Sequence, residues 1–287
     1  MMRSMARGPF FEVPVSQAAT WSARLAWFAI AVALLSIIIV RGGFLEIAPA
    51  LATFAAALMF AGLAILLAFA AFIVIWRQGL AGLGRAVGGM MLSLALLAYP
   101  AYLGYRAHKL PAINDITTDF VNPPRFGELA RLRPRGRSDY PPQFAPLQQK
   151  AYPDIEPLQY EAPPALAYKV ALAIVTKRKW HILDTQPPTA GRPGEIEAVA
   201  RTLIMGFRDD VVVRVSAAGG GGSRIDVRSA SRYGSHDFGA NAKRVAALLN
   251  DIDDGMDEAM SAPARPEPKE KEAPPKKKPP AKRGNRR

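Results

Sequence analysis

Between residues 226 and 244, ten polar side chains crowd what reads as a strand end and a helix start: Asp226, Arg228, Ser229, Ser231, Arg232, Ser235, His236, Asp237, Asn241 and Arg244. One chemistry open to them is anion binding. Arg228, Ser229, Arg232, Asn241 and Arg244 could face a carboxylate or phosphate, while the helix start beyond Asp237 offers free amides and the positive end of its dipole. The competing reading is architectural: Arg214, Asp226, Asp210 and Arg228 pair across strands, and Asp237 caps the helix, placing a negative charge where the anion would sit. Catalysis has less to work with. His236, Asp237 and the serines are triad-like types, but sequence neighbours seldom converge on one reacting atom, and no nucleophile elbow precedes the helix. Asp209 and Asp210 fall on opposite faces of a strand and so do not form a carboxylate pair. His108, His181 and His236 lack ligand spacing and the chain has no cysteine, so no metal and no other cofactor is expected. Gly219 to Gly222 lacks a following Gly-Lys-Ser/Thr and reads as a hairpin turn rather than a phosphate loop.

The elements that must position these residues follow from periodicity. In residues 208–217 (RDDVVVRVSA) and 223–231 (SRIDVRSAS), Val211, Val213 and Val215 must share a face with Ile225 and Val227 if both strands bury their branched residues. Asp210, Val212, Arg214, Asp226, Arg228 and Arg232 then share the other face. Arg214 and Asp226 become cross-strand neighbours, expected to form an exposed structural pair. Residues 163–178 carry an amphipathic helical stripe, 180–185 and 195–205 read as two further strands, and 237–252 repeat apolar residues at helical spacing behind the N-cap Asp237. The expected domain, 163–252, is α+β with the order helix, four antiparallel strands, helix, and both helices on one face.

Residues 106–162 form a proline-rich connector, eleven prolines lying between 111 and 164. Each removes a backbone donor and extends its predecessor, so the segment is expected as an extended tether or as a strap across the domain. Arg131, Arg133, Arg135 and Arg137 within it are read as solvated linker charges, or as contacts for anionic headgroups. From Ser261 to Arg287 a Pro/Lys/Glu composition predicts a disordered tail. That tail holds ten Lys/Arg against three Asp/Glu, about half of the net charge of +13.

Upstream, three uncharged apolar runs are each near the roughly 20 residues needed to cross about 30 Å of hydrocarbon: 25–40, 49–76 and 86–105. Tyr99, Tyr102 and Tyr105 close the third as an interfacial belt. Arg3, Arg7 and Arg24 before the first run, and Arg77 and Arg85 after the second, outweigh Arg41 between them. By the positive-inside rule the N-terminus (1–24) is expected to be cytoplasmic and the C-terminal domain periplasmic. The lipid bilayer is the expected partner. The stretch Lys269–Arg287 suits an anionic envelope polymer or lipid, and its prolines, glutamates and lack of aromatics argue against nucleic acid.

Two blocks carry a family resemblance. One is Ile113-Asn114-Asp115-Ile116-Thr117-Thr118-Asp119 with Asn122-Pro123-Pro124 and Phe126. The other runs from Gly206-Phe207-Arg208-Asp209-Asp210 through Asp226-Val227-Arg228-Ser229, Ser231-Arg232, Gly234, Asp237, Gly239, Asn241 and Arg244. Over residues 111–252 the chain resembles the bacterial family known as domain of unknown function 1499. The resemblance implies frequent membrane attachment, no established biochemical role, and an opening block that belongs with the folded domain. The combined expectation is a multi-pass inner-membrane protein of the cell envelope serving as a binding or scaffold module. The alternative is an enzyme acting on an anionic envelope molecule or small ligand.

Overall fold

The structure, a computed structural model, describes residues 13–44, 47–133 and 138–261. Arg3, Arg7, Arg135, Arg137 and the expected tail beyond Ser261 lie outside them. Three helices are long and apolar enough to cross a membrane: α1 (Gln17–Gly42), α2 (Ile47–Gln78) and α3 (Leu83–Lys109). Each extends past its apolar run because the backbone ladder continues through the polar ends, and Ser16 caps α1 through the amide of Ala19.

Small residues let these helices approach closely. Ala26, Ala29 and Ala33 of α1 and Ala57, Ala61 and Ala64 of α2 are buried. The Ser22 hydroxyl donates to the Ala64 carbonyl at 2.8 Å and that of Ser36 to Ala50 at 2.6 Å. On α3, Gly89 abuts α1 so tightly that a Cβ there would stand 2.5 Å from the Ser22 hydroxyl. At one end of the bundle Val15 bridges Ala81. The other end gathers Arg41, the start of α2 and the last turns of α3, from which the α+β domain continues.

The domain is an antiparallel sheet with two helices on one face. Its strands are β1 (Asp115–Thr117), β2 (Leu158–Tyr160), β3 (His181–Gln186), β4 (Gly194–Arg201), β5 (Arg208–Ala217) and β6 (Ser223–Ser231), in the order β1-β6-β5-β4-β3 with β2 also on β6. The helix, four strands, helix order appears as α5 (Pro164–Lys177), β3 to β6, and α6 (Ala240–Ser261). Alternation sorts the faces. Val211, Val213, Val215, Ile225 and Val227 join Ala171, Val175, Val245, Leu248 and Ile252 in the main core. The register places Arg214 opposite Asp226.

Several details differ from the sequence reading. The sheet has six strands, because β1 and β2, three residues each and too short to show a period, line the outer edge of β6. The proline-rich segment also contains α4 (Phe144–Ala151) and a 3-10 turn at Glu128–Leu132. Residues 202–205, read as strand, form a turn, because Gly206 adopts a left-handed φ of 70° and reverses the chain.

Candidate functional site

The polar constellation divides between the two faces of the sheet. On the face away from α5 and α6, the segment after β1, through Phe126 and Leu129, lies over the even-numbered side chains of β5 and β6 and packs on Val199, Val212 and Ala230, whereas Ile113 and Ile116 join the main core. Arg228 is trapped beneath them at 1% exposure. Its guanidinium forks onto Asp115 (Nε to Oδ1 3.0 Å, Nη2 to Oδ2 2.7 Å) and donates to the carbonyls of Pro124 and Ser138, both at 3.1 Å. The Phe126 ring lies 4.4 Å from its central carbon. Burial pushes the Asp115 carboxyl above the usual carboxylate range, and the bonds and charge of Arg228 pull it back.

Arg232 grips Asp210 in the same manner (2.7 and 2.9 Å), and Asp210 also accepts from Arg133 at 2.8 Å. Asp226 is buried too, accepting from Arg214 at 3.0 Å and from Arg224. The expected exposure of the Arg214–Asp226 pair is thus corrected: its register is as read, but Asp119, Thr118 and the overlying segment enclose it.

The helix-side face holds the rest. The Ser229 hydroxyl donates to Asn241 at 2.8 Å, Asn241 donates to the Ser231 hydroxyl at 2.9 Å and to the Asn114 carbonyl at 3.1 Å, and Arg244 pairs with Asp209. Asp237 caps α6 through the amides of Gly239 (2.7 Å) and Asn241 (2.8 Å). Burial raises its carboxyl pKa, and these two amides oppose the rise. Of the proposed anion binders, Arg228, Arg232 and Arg244 are brought onto carboxylates, while Ser229 and Asn241 bond to each other. Among the described residues the side-chain partners of the Ser229 and Ser231 hydroxyls are Asn241 and Arg244. Nor do those residues contain a group of three or more His, Asp or Glu placed to hold a metal ion.

With this geometry in place, the comparison with known families becomes informative. Residues 115–252 match the family described as "Protein of unknown function (DUF1499)". The domain resembles that family from β1 into α6. Its match begins at Asp115, the carboxylate that holds Arg228. No curated protein matches the chain. Among solved structures, the crystal structure of CalU16 from Micromonospora echinospora is 14% identical, covers 36% of this chain and 76% of its own, and superposes with a TM-score of 0.20, too slight to bear on function.

Beside this network, between the domain and the helix bundle, lies a cleft of about 740 Å³. Ile47 and Leu51 of α2, Tyr99 and Leu103 of α3, and Ile204 and Phe207 of the β4–β5 turn give it an apolar wall. Its polar side carries Arg106, Arg201, Arg208, Lys243 and Arg244, with Asp209 and Asp237 as the carboxylates. Asp209 is taken by Arg244 and Asp237 by the helix amides. Among the described residues no carboxylate lies within ion-pair distance of Arg106, Arg208 or Lys243.

His236 lines the same cleft. Its Nδ1 accepts from the Phe238 amide at 2.9 Å, and an Nδ1 that accepts leaves the ring hydrogen on Nε2. That Nε2 is buried with no partner. Phe238 stacks on the imidazole at 4.8 Å from a left-handed backbone (φ 55°), a costly conformation for an aromatic residue that holds the ring in place. His236 stood in the constellation read from the sequence. Arg106, Arg208 and Lys243 were missed as site residues, because they belong to three separated elements and only their joint lack of carboxylates marks them.

A second depression, of about 430 Å³, lies over the charges at the far end of β5, lined by Asp119, Arg125, Glu195, Arg214, Arg224 and Asp226. Burial, and then the nearby Glu197, raise the Glu195 carboxyl pKa. Its charges of both signs largely compensate one another.

Proposed function

We propose that this protein is a membrane-anchored binding module whose ligand is an anionic amphiphile, held in the cleft between the domain and the helix bundle. The observation that carries the reading is the pairing, in one cleft, of an apolar wall with cations that have no carboxylate within ion-pair distance among the described residues. An anionic headgroup would satisfy Arg208 and Lys243 together, and its chain would lie against Leu51 and Leu103. A volume of this size suits a single small ligand. Binding is favoured over catalysis because Ser229 and Ser231 bond to Asn241 and Arg244 rather than to a base. The Lys/Arg asymmetry of the flanks supports placing the domain on the outer side of the inner membrane, with the N-terminus cytoplasmic.

Thermal melts of the full chain in a neutral detergent, with anionic or zwitterionic short-chain lipids added, test this. At about 100 times the dissociation constant, a ligand specific to the folded state adds roughly 2.7 kcal/mol. Stabilisation by the anionic lipid alone is expected, and it should be lost in the Arg208→Gln/Lys243→Gln double variant, whose unliganded melt should not move. Equal response to both lipids, or none to either, overturns the proposal.

A further inference from the structure

The turn between β4 and β5 reads Thr202-Leu203-Ile204-Met205-Gly206-Phe207. Turn apices are normally glycine and polar residues, because the apex faces water. Here four large apolar side chains occupy the apex, none of them buried, and Leu203 is 91% exposed. The turn's own ladder joins the Thr202 amide to the Phe207 carbonyl at 2.9 Å and the Gly206 amide to the Thr202 carbonyl at 3.1 Å. The carbonyls of Leu203 and Ile204 are satisfied from outside the turn. Arg41, in the last turn of α1, donates to them at 2.6 and 3.2 Å, and Arg201 returns a bond to the Arg41 carbonyl at 3.4 Å. Gly206 makes this approach possible, since a Cβ there would stand 3.0 Å from Arg41 Cγ.

A segment that enters the bilayer interface presents apolar side chains and loses little by having backbone carbonyls already bonded. This turn exposes Leu203, has its Leu203 and Ile204 carbonyls bonded by Arg41, and stands beside that residue, where the apolar run of α1 ends. We infer that the β4–β5 turn is a second membrane contact, whose Leu203, Ile204 and Met205 dip into the interfacial layer of the bilayer that α1 spans. Arg201 and Arg208 flank the apex and lie level with anionic headgroups. The contact holds the domain against the membrane and keeps the open side of the cleft at headgroup depth. Leu203, Ile204 and Met205 also line the cleft, and the contact requires no ligand in it.

The absence of cysteine from the sequence makes a single introduced thiol a unique label. Leu203→Cys can be compared with Val121→Cys, which is 97% exposed beside the opposite ends of the strands. Each full-length variant carries an environment-sensitive fluorophore and is reconstituted into phosphatidylcholine/phosphatidylglycerol vesicles containing lipids with a headgroup-proximal nitroxide quencher. Quenching at position 203 is expected to exceed that at 121 several-fold, with a blue-shifted emission. Equal quenching at the two positions, in variants whose detergent melts match the parent, overturns the inference.

Discussion

Arg228 is held by an acceptor 113 residues away, Asp115, and by two carbonyls of the overlying segment. Removing one member of such a pair leaves the other buried and uncompensated, which costs about 3–5 kcal/mol. Arg228→Ala is therefore expected to lower the stability of the domain by that amount in chemical denaturation. A loss below about 1 kcal/mol, the range of exposed pairs, would show instead that water reaches Asp115. The residue scale also shows where reading the chain alone stops. Arg214 and Asp226 were legible as neighbours because strand alternation sets the register. Their burial was not, because the covering segment has no period. Arg228 looked available for an anion because Asp115 lies 113 residues upstream with no local signal linking them, whereas Asp210, the partner of Arg232, already shared its face in the strand pattern.

Among the elements, α6 shows a different balance. Its apolar spacing and the N-cap Asp237 were both readable, whereas the left-handed pair Phe238 and Gly239 that turns the chain into the helix was not, since an aromatic residue rarely adopts that conformation. Asp237 satisfies two amides of the first turn, and replacing a cap of this kind costs about 0.5–2 kcal/mol. Asp237→Ala should lower the midpoint of chemical denaturation accordingly, and Asp237→Asn, which keeps an acceptor, should recover most of the loss. If both variants lose equally, the carboxylate acts through its charge and not through capping. The strands β1 and β2 escaped the sequence because three residues carry no pattern, and only the edge of β6 defines them.

For the whole molecule, three helices, each long and apolar enough to cross a membrane, place residue 44 and the domain at one end of the bundle and the Val15–Ala81 bridge at the other. Topology reporters fused after Phe44 and after Ile252 should therefore report the same compartment, and one after Gly79 the opposite one. Under the orientation proposed from the Lys/Arg asymmetry, that opposite one is the cytoplasm. Agreement between the Gly79 and Ile252 reporters would remove a crossing from the bundle. A consequence in time follows from the place of β6. It touches β1, β2 and β5, yet it is the last strand to be synthesised. At roughly 5–20 residues per second of chain growth, Asp115 precedes Arg228 by on the order of ten seconds. Throughout that interval the three N-terminal helices are already made, while β1 and β2 have no β6 to pair with. The sheet therefore closes late, after the three apolar helices are made, and a chaperone acting on the nascent chain would meet a sheet still missing its hub.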